Sequence, residues 1–206
     1  MANKDAPPLT LGFVRGTAPQ KWARRWAEGA DRPPLTLVPI LGLPPVDSFT
    51  VVLERTDPGE RPRGSEVDGP RHAVRLYEEA VALVVPPEHP LSGAATVTRE
   101  QLNDEYLLGY DGYPPSWPTP AATLPGDVLD LVAAGVGSVL LSLPLARHLA
   151  RKREHVVVPV EDGLDPSAIW ATWARTDDGP VVQELIGVFR GRTARSSRSA
   201  PKRGRR

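Results

Sequence analysis

The sequence predicts an α/β protein whose strands are connected by helices, and two stretches carry this prediction. Residues 9–40 read as a strand, a helix and a second strand, an order and length typical of a parallel sheet. Residues 124–145, LPGDVLDLVAAGVGSVLLSLPL, read as a helix, a glycine turn, a nearly all-apolar strand and the start of another helix. An apolar strand without alternation is typical of a parallel strand that is buried on both faces.

The opening stretch begins with a strand at Leu9–Val14, and its second strand spans Leu35–Ile40. Between them, Thr17 or Ala18 is the predicted N-cap of a helix with a proline in its first turn. Gly29 is expected to end this helix. The unit is the expected beginning of a parallel sheet.

Two tryptophans lie four residues apart in this first helix. Trp22 and Trp26 therefore fall on one apolar stripe. The stripe is either a ligand-binding surface or a packing surface. We favour packing in the core or against another subunit.

The connection after the second strand, residues 41–47, is too short and too rich in proline to hold a helix. A third strand is predicted over residues 48–53. Parallel pairing of the second and third strands needs a crossover of about a dozen residues. Either the third strand is displaced or the connection is abbreviated. Residues 55–70, which are charged and rich in glycine and proline, are predicted to form a surface loop.

The rest of the chain continues the alternation of strands and helices. Thr98 is a predicted N-cap, with Gln101 in the capping-box position. Pro125 is placed to open a helix, and Gly135 to end it in the left-handed conformation. The remaining predicted strands cover residues 73–77, 81–85, 106–110, 136–143, 156–160 and 169–174, and the remaining helices cover 98–103 and 180–190.

The formal net charge of zero hides an asymmetry along the chain. From residue 190 onward there are eight basic residues and no acid, which leaves 17 basic against 25 acidic residues in the body. Residues 192–206 are predicted to be a disordered basic tail. Such a tail either contacts nucleic acid weakly and without sequence preference, or serves solubility, or folds back on the acidic body.

Several classes of function find no support in the sequence. There is no cysteine, so disulfides, thiol nucleophiles and cysteine-bound metals are excluded. Glycine-rich nucleotide motifs, serine-nucleophile motifs and histidine–glutamate metal motifs are absent, and the four histidines are scattered. No stretch approaches the roughly 18 consecutive apolar residues that span a membrane. We expect a cytoplasmic protein that is not an enzyme and needs no cofactor or metal.

Three stretches together resemble the effector-binding domain of LysR-type transcriptional regulators. They are DLVAAGVGSVLLSLPLARHLA from residue 130, LTLGFVRGT from residue 9, and RLYEEAVALVVPPEHPL from residue 75. The resemblance covers roughly residues 9–191 and keeps the order of the family. It implies two α/β lobes, similar to type 2 periplasmic solute-binding proteins. Lobe I is then residues 9–76 with 160–191, and lobe II is residues 77–159.

The chain departs from the family in two respects. LysR-like domains usually place a full helix before the third strand, so the first lobe is expected to be abbreviated at residues 41–47. Full-length members carry an N-terminal winged helix-turn-helix, whereas only eight residues precede the first strand here. We therefore expect no recognition helix, and sequence-specific DNA binding does not transfer.

The loop after the first strand is the strongest candidate for a binding site. Arg15, Gly16, Thr17 and Ala18 stand between a strand and a helix N-terminus, where backbone amides favour anions. A guanidinium, a hydroxyl and free amides suit a carboxylate. The competing interpretation is an ordinary helix cap with a solvated arginine.

The family resemblance adds two further segments to this candidate site. LysR-like domains bind their effectors between the lobes, using the loop after the third strand and the linker near the lobe junction. By position, these segments are Arg55 with Thr56, and Tyr110, Asp111 and Gly112. Trp117 either covers the cleft or anchors its own loop.

Two functional hypotheses follow. The first is a LysR-like protein that binds a small, anionic effector in transcriptional regulation. The second is an interaction module that has lost its ligand and pairs with itself or with full-length regulators. In either case we expect a homodimer, with the Trp22/Trp26 helix and the helix that opens at Pro125 as its contact surfaces.

Overall fold

The computed structural model describes residues 7–40, 48–109, 125–161 and 164–191, which form two β-sheets with flanking helices. The first sheet has the strand order β2-β1-β3-β8-β4, and the second has the order β6-β5-β7. The strands are β1 Leu9–Val14, β2 Leu35–Ile40, β3 Val51–Thr56, β4 Arg71–Glu79, β5 Val81–Val85, β6 Val139–Ser142, β7 Val156–Pro159 and β8 Ser167–Ala174. The α-helices are α1 Gln20–Ala27, α2 Arg99–Leu102, α3 Pro125–Ala133, α4 Leu143–Leu149 and α5 Pro180–Phe189.

The third strand is displaced, as one of the two predicted alternatives requires. It begins at Val51 rather than at residue 48, and it pairs in parallel with β1 instead of β2. Thr10 and Thr50 extend this pairing, because the hydroxyl of each accepts the backbone amide of the other at 3.0 Å. Residues 41–47, where the abbreviated connection is predicted, lie outside the described residues.

One face of the first sheet is covered by α1 and α5. Trp22 and Trp26 are 3% and 1% exposed and lie in the core between these helices and the sheet. The Trp26 indole nitrogen donates to the Pro33 carbonyl at 2.8 Å, which satisfies its polar atom inside the core. Of the predicted alternatives, packing in the core is confirmed, and a ligand-binding surface or a subunit contact made by these two side chains is wrong.

The opposite face of the first sheet buries a charged pair. Arg71 Nη2 lies 2.6 Å from Glu54 Oε1, and both side chains are almost fully buried. The Thr172 hydroxyl donates to the same carboxylate oxygen at 2.5 Å.

The loop predicted at 55–70 begins after β3, and Arg175 Nε holds it by donating to the Gly69 carbonyl at 2.6 Å.

The second sheet is built entirely from antiparallel pairs, with β5 between β6 and β7. The expectation of a parallel strand at 136–143 is therefore wrong. The strand is β6, only four residues long, and it is fully buried. Its apolar run reflects burial on both faces, which does not depend on strand direction. The segment 106–109 also differs from prediction, since it forms an isolated bridge at Leu107 and not a strand.

Two helix ends follow their predicted chemistry. Thr98 and Gln101 form the reciprocal capping box at the start of α2. Gly135 has φ +73° after α3, where its amide donates to the Val132 carbonyl and the Val136 amide donates to the Leu131 carbonyl. This is the hydrogen-bond pattern of a Schellman motif.

The two sheets are joined at one edge by two connections. Ala80 alone separates β4 from β5, and residues 160–166 lead from β7 back to β8. Glu79 and Ser167, the last paired residues of the crossing strands, lie opposite each other at this junction. None of the helices in the described ranges is long and apolar enough to cross a membrane.

Candidate ligand-binding cleft

Two of the three predicted site segments meet at one edge of the first sheet. Arg15 to Ala18 follow β1, and Arg55 and Thr56 end β3, which is parallel to β1. The carboxyl ends of the two strands therefore lie side by side, where ligands collect in open α/β folds. The third segment, Tyr110, Asp111 and Gly112, lies outside the described residues, as does Trp117.

Several hydrogen-bond donors in the loop after β1 have no partner among the described residues. Arg15 and Ala18 are exposed, and Gly16 has φ +84°. Within the part of the chain that the structure describes, the Arg15 guanidinium and the amides of Gly16 and Ala18 have no hydrogen-bond or ion-pair partner. These donors stand directly before the N-terminus of α1, where partial positive charge accumulates.

The predicted N-cap at Thr17 or Ala18 is wrong. The Thr17 hydroxyl donates to the Val14 carbonyl at 2.7 Å, so it closes its own turn. Pro19 is the N-cap, with φ −68° and no side-chain cap. The Thr17 hydroxyl is therefore already used as a donor, and the donors of this loop left without a partner among the described residues are backbone amides and the Arg15 guanidinium.

Arg55 is already paired. Its Nε donates to Glu79 Oε2 at 2.6 Å, and its Nη2 donates to Glu79 Oε1 at 3.3 Å and to the Arg15 carbonyl at 3.0 Å. The Glu79 side chain is fully buried, and that of Arg55 is 16% exposed. The Ser167 hydroxyl donates to Glu79 Oε2 at 3.4 Å. The guanidinium thus joins β3, the loop after β1 and the sheet junction.

Glu79 is the residue that sequence reasoning missed. A signal existed, because Glu78 and Glu79 come directly before the apolar run of β5 in a segment that resembles the family. A carboxylate at such a boundary is buried only if it is paired. Its partner, 24 residues away on another strand, is visible only in the folded chain.

Thr56 does not join Arg55. Consecutive strand residues point to opposite faces. The Thr56 hydroxyl accepts the Trp170 indole N–H at 3.0 Å, and Thr56 is almost fully buried. Arg55, in contrast, faces Glu79 and the Arg15 carbonyl. The structure therefore brings together Arg55 and the 15–18 loop, and leaves the Thr56 side chain on the other side of the sheet.

The start of α4, which packs against the second sheet, lies close to the loop after β1. A β-carbon added to Gly16 would lie 2.9 Å from the Leu145 Cα and 3.1 Å from Arg55 Nη2. The Ser142 hydroxyl, directly before α4, is buried and has no hydrogen-bond partner among the described residues. A buried hydroxyl without a partner is uncommon and suits a position that another polar group completes.

The environment of Glu79 also changes a neighbouring tyrosine. Burial, followed by the negative charge of Glu79, raises the pKa of Tyr77 from 10.0 to about 12, against a smaller lowering effect of Arg55. Tyr77 therefore stays protonated at neutral pH, and its ring lies 6.3 Å from that of Trp22. Over the described ranges, no three histidine, aspartate or glutamate residues are grouped to hold a metal ion.

The family of the chain is decided by a match to a family model. Residues 62–194 match the LysR substrate binding domain. The chain belongs to this family. The match contains Glu79 and the whole second sheet, while the 15–18 loop and Arg55 precede it. The predicted family resemblance is confirmed.

Solved structures of LysR-type regulators share the fold. The reduced regulatory domain of OxyR from Pseudomonas aeruginosa has a TM-score of 0.59 at 16% identity, over 89% of this chain and 96% of that one. A hydrogen-peroxide-bound OxyR mutant from Corynebacterium glutamicum has a TM-score of 0.62 at 17% identity, covering 90% of this chain and 67% of that one.

Full-length BenM gives a similar result, with a TM-score of 0.63 and 17% identity over 89% of this chain and 66% of BenM. These likenesses confirm the predicted two-lobed, periplasmic-binding-protein-like LysR fold. The chain spans nearly all of an isolated regulatory domain and about two thirds of the full-length regulators. No curated protein sequence matches the chain.

Proposed function

We propose that this chain is an effector-binding domain that holds a small anionic metabolite at the 15–18 loop and acts in transcriptional regulation. The observation that carries the proposal is the set of unused donors in that loop. An exposed guanidinium and two free amides stand before the N-terminus of α1, at the carboxyl end of β1. Binding rather than catalysis is supported, since the family is one of substrate-binding domains.

The position of the site between the two sheets also supports the proposal. Gly16 approaches the backbone of Leu145 at the start of α4, so a ligand at this loop would lie beside a helix that packs on the second sheet. We propose lobe boundaries that follow the sheets, with residues 9–76 and 160–191 in lobe I and residues 77–159 in lobe II. The crossing strand β4 runs past this boundary to Glu79.

A thermal-shift screen against organic acids and amino acids tests the effector site. We expect at least one anionic metabolite to raise the unfolding midpoint, and we expect Arg15→Ala to abolish that rise. Arg153→Ala is the matched control, because Arg153 is also exposed but lies beyond α4, away from the cleft. Equal ligand responses in Arg15→Ala and Arg153→Ala would place the anion elsewhere.

We also propose that the chain forms a homodimer through α1 and α3. The outer face of α1 exposes Lys21, Arg24 and Arg25, and that of α3 exposes Asp127, together with Asp130, which also pairs with Arg151 at 2.5 Å. An arrangement that sets α1 of one copy against α3 of the other is favoured by these opposite charges. Sedimentation at micromolar concentration tests the dimer, and a monomer at low salt would contradict it.

The competing function is an interaction module without a ligand. The pairing of Arg55 with Glu79 favours it, because this arginine already has an anionic partner. A stable dimer that responds to no metabolite in the screen would support the module over the effector site. The basic tail, residues 192–206, lies outside the described residues. A weak, salt-sensitive contact of this tail with nucleic acid stays a prediction, tested by deleting it and repeating a shift assay.

A further inference from the structure

Next to the 15–18 loop, the Glu79 carboxylate forms a two-point ion pair with the Arg55 guanidinium. Glu79 accepts both Nε–H and one Nη2–H of Arg55, in the two-point geometry that a bound carboxylate adopts with arginine. The second Nη2–H goes to the Arg15 carbonyl. The charge of Arg55 is therefore balanced by the protein itself.

Glu79 is held so that it stays in this position. Its backbone is paired with Ser167 at the last step of the β4–β8 ladder, and the Ser167 hydroxyl donates to its Oε2 at 3.4 Å. Its side chain is fully buried. A buried carboxylate that leaves its guanidinium loses the charge pairing that offsets its desolvation, so displacement by a ligand is unfavourable.

We propose that Glu79 is an internal ligand of Arg55, and that it restricts the effector to one negative charge, bound at Arg15, with an uncharged group facing Arg55. This inference rests on the proposed effector site and specifies its ligand class. A second carboxylate at Arg55 would lie beside Glu79, and two anions sharing one guanidinium repel each other. The cleft thereby rejects dianions without any steric barrier.

The remaining donors of Arg55 define what the uncharged end requires. A guanidinium has five N–H groups, and three of them are used by Glu79 and by the Arg15 carbonyl. Its Nη1 has no partner among the described residues. Two N–H donors on a charge-balanced group suit a carbonyl, amide or hydroxyl oxygen.

The test isolates Arg55 by working in the full chain with Arg15→Ala, so that the proposed anion grip is absent. Acetate is the probe, at constant ionic strength balanced with chloride, and binding is measured by calorimetry and by the unfolding midpoint. Arg15→Ala should show no saturable acetate response. Adding Glu79→Gln should create a saturable acetate response, because the Arg55 charge then has no anionic partner in the protein. A third change, Arg55→Met, should remove it.

Each outcome of this test either supports or overturns the inference. No gain of acetate binding with Glu79→Gln, or a gain that survives Arg55→Met, overturns the inference. If the Glu79→Gln protein does not fold, recovery of its folded signal by acetate supports the inference, and failure of acetate to restore it overturns it. If Glu79→Gln gains acetate binding but no metabolite stabilises the protein in the screen, the effector site is rejected and the pairing role of Glu79 is kept. If a metabolite stabilises the protein but Glu79→Gln gains no acetate binding, only the role of Glu79 is rejected.

Discussion

Gly16 lies so close to Leu145 that a β-carbon on the glycine would come within 2.9 Å of the Leu145 Cα and 3.0 Å of its amide nitrogen. The two residues come from different halves of the fold, since Gly16 follows β1 of the first sheet and Leu145, in the first turn of α4, packs in the core of the second. Glycine is needed here for two separate reasons. Its φ is +84°, and the space for a side chain is already filled by backbone.

We predict that Gly16→Ala destabilises the protein more than Gly59→Ala. Gly59 also has a positive φ, +75°, but an added β-carbon there meets nothing within 4 Å, so it isolates the backbone strain. The strain alone should lower the free energy of unfolding by about 1 kcal/mol. The close approach at Gly16 should add about 1–3 kcal/mol. Urea unfolding of the two variants measures the difference.

Equal losses for Gly16→Ala and Gly59→Ala would mean that the 15–18 loop and α4 separate at no cost. In that case the cleft would be open at this point in solution.

The buried pair on the opposite face of the first sheet gives a second prediction. Glu54→Gln should lower the free energy of unfolding by about 3–5 kcal/mol, because the Arg71 charge stays buried without its partner. The double variant Glu54→Leu with Arg71→Met should recover most of this loss, since it removes both charges. Chemical unfolding of the single and double variants measures both effects. A double variant no more stable than Glu54→Gln would show that the pair itself is required.

Local chemistry was predictable from the sequence wherever one segment contains both partners. The Thr98–Gln101 capping box and the Gly135 turn follow from residues at most a few positions apart. The burial of Trp22 and Trp26 follows from helical periodicity. In the same way, the family resemblance rests on contiguous stretches.

Long-range pairing could not be predicted in this way. The exchange of hydrogen bonds between Thr10 and Thr50 fixes β3 beside β1, and nothing in residues 48–56 alone selects β1 over β2. The Arg55–Glu79 pair depends on the registers β3–β8 and β8–β4 together. The arginines and the loop of the candidate site could therefore be predicted from the sequence. The Glu79 carboxylate, which neutralises Arg55, could not.

The pKa of Tyr77 predicts how stability changes in alkali. Burial raises this pKa from 10.0 to about 12, so the folded state holds the proton more tightly than the unfolded chain. The contribution of Tyr77 is complete below pH 10 and is lost as the pH rises from about 10 to 12. Tyr77→Phe should therefore lose less stability between about pH 9 and pH 11 than the unaltered protein.

Urea unfolding at the two pH values measures this difference. Phenolate absorbance gives an independent check, because Tyr77 should ionise only near pH 12 and the Tyr77→Phe variant should lack that ionisation. Identical pH dependence in the Tyr77→Phe variant would contradict the assignment.

The last prediction concerns the proposed dimer, whose affinity should depend on the sign of the charges on α1 and α3. Arg24→Glu places an acid on the basic face of α1, against the acidic face of α3 in the proposed contact, and should weaken the dimer about tenfold. Adding Asp127→Arg restores opposite charges across the same contact and should restore the affinity. Arg153→Glu, which makes the same charge change at an exposed site outside both helices, is the control. Sedimentation at low salt measures all three. If Arg24→Glu and Arg153→Glu weakened association equally, net charge alone would explain the effect, and the α1–α3 contact would be rejected.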